Sequence, residues 1–444
     1  MTGILGIYLF DKRWNARNFG VFGLMALQHR GQETAGLELF GEQRAKVAGK
    51  GLAEQVLAPN QGTSAGMEKG YVCLGGVSPY PQEEAEIQPI ALSNAVSAAI
   101  DGKITAVKGY GWSRSATYED NLRAAFGRST TGCSIDEVKE FFWRCMGGFS
   151  YVAVNDRNEM VAGRGALGVK PLVLGKMGFE GGIVASESCV MDIIGERMPI
   201  SPAENIDPGE SRIFTPMSAH SERCTSCSNR AYCSFEYVYL ARPDSFVNDI
   251  PVYRVRRNIG RKLAEEGPAD ADVVIGVPET AIPFAMAYSN ETGIPVEKGF
   301  ELTGRRIRSA MKPNQLERLK GVQLKLNVIS EAVKGKRVVL IDDSVVRGNT
   351  LANIVYLMKE KGAKEIHVRI GSPHIISHCP FGVEVPPEDE LIGKHLPEEK
   401  IAEVVGADSF RYLSIDGFLD AVMIKREDLC VGCFGGKYPE EELD

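Results

Sequence analysis

The sequence has little that would attach it to a membrane or to nucleic acid. No apolar run approaches the roughly 18 residues needed to span a bilayer, and the opening MTGILG lacks the basic start of a secretory signal. Long basic runs are missing too. The 51 Lys and Arg face 58 Asp and Glu, a net charge of -7 spread along the chain, which argues against the clustered cations of a nucleic-acid binder. Neither nucleic acid nor a membrane is expected as a partner, and the expected location is cytoplasmic. Ten cysteines in 444 residues are too few for a disulfide scaffold, and in a reducing compartment their clustering points to metal or catalysis. What remains is an ordinary globular composition, 44% apolar and 25% charged, with length enough for two domains with substantial cores.

Up to about residue 220 the chain shows short alternating runs broken by glycine: GILGIYLF, YVCLGGV, FSYVAVND, GGIVASES and SRIFTP. These predict strands of an antiparallel, sandwich-like arrangement, with helical segments over VFGLMALQHRG and DEVKEFFWRCMG. From about 250 the rhythm becomes strand, loop, helix: ADVVIGVPET then AIPFAMAYSNETG, RVVLIDDSVVRG then NTLANIVYLMKEKG, and then EIHVRIGS. That alternation predicts a parallel α/β sheet. An α+β domain thus precedes an α/β domain, and the boundary falls between Cys224 and Ile250, where periodicity fades.

The sharpest chemical signal is RVVLIDDSVVRGNT, residues 337–350. An apolar strand ends at Ile341, Asp342 and Asp343 follow, and a short loop with Ser344, Arg347, Gly348 and Thr350 runs into a helix that Gly362 terminates. Ligands of open α/β sheets lie beyond the carboxyl ends of the strands, where a helix N-terminus offers free N–H groups and a positive dipole to a phosphate. Two adjacent acids there can accept hydrogen bonds from ribose hydroxyls or meet a Mg²⁺ on a pyrophosphate. An isolated Asp-Asp pair is more often a solvated strand end; its place between strand and glycine-containing loop tips the reading toward function.

This segment resembles the phosphoribosyl-pyrophosphate (PRPP) loop of type I phosphoribosyltransferases. Together with CSFEYVYLARPDS, RVRRNIGRKLAEE, ADVVIGVPETAIP, GADSFRYLSIDG, CVGCFGGKYP, ALQHRGQETAG, ASESC and DPGE, it makes the whole chain similar to the amidophosphoribosyltransferase family. The resemblance implies an Ntn-hydrolase-like class II glutamine amidotransferase domain over 1–232 and a type I phosphoribosyltransferase domain over 233–444. It also implies the first step of purine synthesis, in which glutamine, PRPP and water yield phosphoribosylamine, glutamate and pyrophosphate. Asp342 and Asp343 would hold the ribose and Mg²⁺, while Ser344, Val345, Val346, Arg347, Gly348, Asn349 and Thr350 would hold the 5-phosphate. Thr280 stands at a metal-contacting serine position. TGRRIRSAMKP (303–313) falls where the family has a mobile loop, with Arg308 and Ser309 at its usual Arg-Thr and with Arg305 and Ile307 replacing a Tyr and a Gly. Four cations in nine residues also suit a solvated face; beside a pyrophosphate site they can stabilise leaving-group charge.

Cys233, Cys379, Cys430 and Cys433 match the positions that hold a [4Fe-4S] cluster in one branch of the family, and zinc accepts the same Cys₄ set. Cys224 and Cys227 are additional and could form a second small metal site, exchange into the cluster, or have no role. Cys73, Cys133, Cys145 and Cys189 sit in apolar surroundings and read as inert buried thiols. Family members form dimers and tetramers, so a homo-oligomer is expected.

The family's glutaminase chemistry uses a cysteine directly after the start methionine, with its own α-amine as base. Position 2 is Thr2. Threonine activated by its own amine is a nucleophile in related hydrolases, so this change alone decides nothing. The pocket departs further. Where the family has G-H-V-R-Y, with an arginine that clamps the glutamine carboxylate, this chain reads GGVSPY, with Ser78 and Pro79. Where the oxyanion hole has H-N-G it reads I-D-G: Asp101 replaces an amide donor, and losing one such donor typically costs about 10²–10³ in rate. Gly165 and Lys170 replace an aspartate and an arginine, while His29 and Arg30 are kept. A working arginine elsewhere, such as Arg114, would be needed to rescue the site. The expectation is a phosphoribosyltransferase using ammonia, free or from a separate glutaminase, or another amine. The alternative is a regulatory paralogue that binds PRPP or nucleotide without turnover.

Overall fold

The computed structural model describes residues 2–58, 69–80, 87–113, 115–129, 133–195, 200–224, 230–302 and 326–439. The first half is built on two stacked antiparallel sheets. One has seven strands in the order Glu204–Asn205, Val173–Lys176, Gly181–Ala185, Gly3–Leu9, Val72–Ser78, Thr34–Phe40 and Ala45–Lys50. The other has six: Ser218–Arg223, Glu210–Thr215, Met160–Arg164, Cys145–Asn155, Val96–Val107 and Ile90–Ala91.

The first strand, GILGIYL, is buried along its whole length because it is covered on both faces. The two-residue period of a strand sends Leu5, Ile7 and Leu9 toward the helices Ala16–Ala26 and Cys189–Gly195, and Ile4 and Tyr8 toward Ala99, Val152 and Ala162 of the second sheet. On that sheet's outer face Phe126, Val138 and Phe142 of the helices Tyr118–Ser129 and Ile135–Arg144 pack on Ile100, Phe149 and Tyr151. The result is a four-layer αββα sandwich, which agrees with the expected α+β class.

Two helix boundaries differ from the sequence reading. The first helix starts at Ala16, where Asn15 Oδ1 accepts from the Arg17 N–H at 3.1 Å, and it ends at Ala26; QHR forms a separate 3₁₀ turn. An N-cap side chain outranks the apolar period in setting a start. The second helix is Ile135–Arg144, opened by the Ser134/Glu137 capping box. Its expected end, C-M-G, instead begins the strand Cys145–Asn155, since Cys145 is extended (φ -76°, ψ 136°).

The second half holds a four-stranded parallel sheet in the order Val273–Gly276, Arg337–Asp342, Glu365–Ile370, Ser409–Tyr412. Val255, Ile259 and Phe284, from the helices Val252–Glu266 and Ile282–Thr292, cover one face. Leu351, Ile354 and Ile401, from Asn349–Glu360 and Glu398–Val405, cover the other. This is the α/β domain that the strand-loop-helix rhythm predicts. The halves meet where Cys233 N–H donates to the Val169 carbonyl at 3.3 Å and where Phe381 lies against Gly148. Among the described residues no helix is long and apolar enough to cross a membrane.

Candidate active site

Asp342 ends the second parallel strand and Asp343 begins the loop beyond it. The backbone is fixed on both sides: Gly371 N–H donates to the Asp342 carbonyl at 2.9 Å, and Ser372 N–H to the Asp343 carbonyl at 2.8 Å. Within the loop Asp342 Oδ1 accepts from the Asp343 N–H at 2.9 Å, and the Ser344 hydroxyl donates to Asp343 Oδ1 at 2.6 Å. Desolvation raises both carboxyls. Asp343 is pushed up to about 6 against the Ser344 hydrogen bond and the charge of Arg256; Asp342 is raised further by the charge of Asp343.

The loop closes on Gly348 at φ +76°, the left-handed residue that caps the helix Asn349–Glu360. Backbone N–H groups of that first turn are thereby left facing the loop. Asn349 and Thr350 are exposed at this end, Val345 is buried and Val346 half-buried. Arg347 Nε donates to Glu390. Thr280 lies on the loop after the neighbouring strand Val273–Gly276, next to the point where Val277 N–H donates to the Ile341 carbonyl at 2.8 Å.

At the other centre, Thr2 is buried and its backbone N–H donates to Asp101 Oδ1 at 2.9 Å. Asp101 Oδ2 accepts from Arg30 Nη2 at 2.8 Å. The same guanidinium donates to Glu187 at 2.8 Å and to both carboxylate oxygens of Glu236 at 2.9 Å, and through Nε to the Thr2 carbonyl at 3.3 Å. His29 Nε2 lies 2.7 Å from Glu187, which also accepts from the Arg242 N–H and the Ser245 hydroxyl, each at 2.9 Å. Burial opposes ionisation throughout, yet Arg30 and Lys170 hold Asp101 below the ordinary carboxyl value, and His29 and Arg30 do the same for Glu187. Asp101 is therefore an ionised acceptor with both oxygens occupied.

Ser78 is buried on the strand Val72–Ser78, its hydroxyl oxygen accepting from the Tyr80 N–H at 3.3 Å. At Gly165 a Cβ would stand 2.9 Å from Phe149 Cε1, so an aspartate there would displace that ring.

The cysteines Cys233, Cys379, Cys430 and Cys433, from three stretches of chain, are all buried in one core cluster. Cys233 and Cys430 are register partners in the parallel pair Tyr232–Cys233 and Leu429–Cys430. The Cys433 carbonyl accepts from Ile376 N–H at 2.8 Å, tying in the segment that leads to Cys379. Burial pushes the Cys430 thiol up to about 11 and raises Cys233 and Cys433, and charges on the other cysteines add to each shift. Four buried thiols in one core cluster are the kind of donor set an iron-sulfur cluster takes. Among the described residues no three His, Cys, Asp or Glu side chains are arranged to hold a single metal ion. Cys73, Cys145 and Cys189 are buried and Cys133 and Cys224 partly so. Cys227, Arg114, Arg305, Ile307, Arg308 and Ser309 lie outside the described residues.

Sequence reasoning passed over Glu187, Glu236 and Arg256. Glu236 was visible as a charge inside the apolar stretch FEYVYL, whereas Glu187 in ASESC and Arg256 in RVRRN carried no such signal. Arg256 is buried under the PRPP-type loop, donating to the carbonyls of Tyr237, Tyr239 and Ala241 at 3.1, 3.1 and 2.7 Å.

The parallel-sheet half is matched by the phosphoribosyl transferase domain family over residues 250–371, which defines its class. The chain is 34% identical to amidophosphoribosyltransferase of Bacillus subtilis over 99% of its own length and 94% of that protein. It is 36% identical to amidophosphoribosyltransferase of Methanothermobacter thermautotrophicus over 98% and 94%. The solved glutamine PRPP amidotransferase from B. subtilis, complexed with ADP and GMP, superimposes with a TM-score of 0.86 at 33% identity, covering 99% of this chain and 97% of that one. The chain belongs to the amidophosphoribosyltransferase family.

Proposed function

We propose that the protein makes 5-phosphoribosylamine from PRPP and ammonia, with release of pyrophosphate, as its relatives do in purine synthesis, and that it does not draw the ammonia from glutamine in its own amidotransferase half (1–232). The observation that carries the first part is the Asp342–Asp343 pair fixed at a parallel strand end before a left-handed Gly348 and an open helix N-terminus. In the transferase half (233–444) Asp342 and Asp343 hold the ribose hydroxyls, and the loop from Ser344 to Thr350 receives the 5-phosphate through backbone N–H groups and hydroxyls. Ammonia attacks C1 of the ribose; the new C–N bond forms as the C1–O bond breaks, pyrophosphate leaves with the electron pair, and a proton departs from nitrogen. Catalysis comes from positioning and from neutralising the leaving group, the role we give to Arg308. Mg²⁺, bound through Asp342, Asp343 and Thr280, would add positive charge at the pyrophosphate.

The second part rests on Asp101. An ionised carboxylate locked to Arg30 and to the Thr2 N–H supplies no donor to an oxyanion, Ser78 supplies no clamp for a glutamine carboxylate, and Gly165 leaves no room for an acid. Cys233, Cys379, Cys430 and Cys433 hold a [4Fe-4S] cluster in this reading; the single zinc ion that the same thiols could take is not favoured, because among the described residues no three such side chains are arranged around one ion. A homo-oligomer and a separate ammonia-supplying glutaminase are the partners proposed.

The deciding measurement is pyrophosphate release by anaerobically purified protein given PRPP and Mg²⁺, with glutamine in one tube and ammonium at alkaline pH in another. Release with ammonium alone is expected. Release with glutamine that Thr2→Ala abolishes would overturn the loss of glutaminase, and silence in both tubes would overturn the synthase.

A further inference from the structure

Tyr412 ends the last strand of the parallel sheet, is 5% exposed, and its hydroxyl has no hydrogen-bond partner among the described residues. A buried hydroxyl left unpaired is costly. Tyr412 lines a cavity of about 480 Å³ beyond the carboxyl ends of the strands Glu365–Ile370 and Ser409–Tyr412, the side of an open α/β sheet on which ligands sit. No residue from Asp342 to Thr350 contributes to its wall.

The other polar groups of the cavity are arranged around Tyr412. The His374 ring lies 4.0 Å from that of Tyr412, and its Nδ1 donates to the Gly393 carbonyl at 3.2 Å, since a carbonyl only accepts. That leaves Nε2 facing Glu398 Oε1 at 3.8 Å, too far for a direct hydrogen bond. Against desolvation, His374, the Tyr412 N–H and Arg411 lower the Glu398 carboxyl to about 2, so it is an anion. Burial first, then the charge of Glu398, raises Tyr412, so its O–H is a donor. Ile376, Ile415 and Phe434 make much of the remaining wall apolar, and among the described residues no Lys or Arg lines it.

We propose that this cavity binds a flat heteroaromatic amine: its amino group bridges Glu398 and His374 Nε2, a neighbouring ring nitrogen accepts from the Tyr412 hydroxyl, and its ring lies against Ile376 and Phe434. An amine beside a ring nitrogen supplies both the donor and the acceptor that these groups lack. Phosphates and carboxylates are repelled by Glu398, with no cation in the wall to offset it. The aromatic lining favours a planar partner.

The probe is 2-aminobenzimidazole, which carries that polar edge on an apolar bicycle and has no phosphate for the PRPP-type loop. Titration calorimetry on the full chain, without PRPP or Mg²⁺, should give saturable binding at one site. Benzimidazole, which lacks the amino group, should bind more weakly, and benzoate should not bind. Tyr412→Phe removes only the unpaired hydroxyl and should weaken the probe about three- to tenfold, the worth of one hydrogen bond. Ile376→Trp, which fills the cavity, should abolish binding. Absence of saturable binding to the wild type overturns the site, and so does an affinity that neither variant moves. Benzoate binding as tightly as the amine overturns the ligand class. If Ile376→Trp does not fold, Tyr412→Phe decides, since phenylalanine fits where Tyr412 stands.

Discussion

Arg30 shows how much one residue can carry. Its guanidinium serves three carboxylates that lie 71, 157 and 206 residues away in the chain, all of them buried. Removing one member of a buried charge network strands the others, typically at about 3–5 kcal/mol. Arg30→Met is expected to lose stability of that order, read as a lowered denaturant midpoint. Arg30→Lys should recover little of it, because an ammonium cannot bridge Asp101, Glu187 and Glu236 at once.

Asp343, titrating together with its neighbour Asp342, sets a pH dependence. Its carboxyl is raised to about 6 in the folded protein, so it is largely neutral below that pH and ionised above it. Binding of PRPP with Mg²⁺ should strengthen as the pH rises through about 6, and Asp343→Asn should flatten the profile; titration calorimetry between pH 5 and 8 measures both. The sign for stability is opposite. The native state binds more protons than the unfolded chain between the ordinary carboxyl value and about 6, so this group makes the ligand-free protein less stable as pH rises across that window.

Among the elements, the strand, loop and helix spanning residues 337 to 360 act as one device. Gly348 provides the positive φ that turns the chain into the helix, and a Cβ there would stand 3.1 Å from Ile392 Cδ1. Gly348→Ala is expected to cost about 1–2 kcal/mol for left-handed backbone at a residue with a side chain. It should also raise the KM for PRPP more than it lowers kcat, since it distorts a phosphate cradle; steady-state kinetics with ammonium checks this. This device was legible in the sequence because its parts are contiguous: an apolar run, two acids, a glycine and a helical period. The early helix was misplaced by five residues for a related reason, the apolar pattern beginning at Val21 while the cap that starts the helix is Asn15.

At the scale of the whole molecule, the two halves are joined through the thiol site and the Arg30 network. On the cluster reading proposed above, Cys430→Ser is expected to abolish iron and sulfide binding and to lower the thermal midpoint, because the strand pairing of Cys233 with Cys430 ties the start of the second half to the stretch Leu429–Cys430. Metal analysis and a thermal scan of the same preparation test this together.

The sequence alone determined the two-domain order, the sandwich and the parallel sheet, since both follow from periodicities carried by consecutive residues. It also determined the Asp342–Thr350 loop and the departures at Thr2, Ser78 and Asp101. Only the tertiary structure decided what those departures do: that Asp101 is engaged by Arg30 and the Thr2 N–H, that Glu187 and Glu236 complete the network, and that Lys170 is buried 3.7 Å from Glu236. Burial and charge pairing arise between residues far apart in the chain, and no local pattern records which of them will meet.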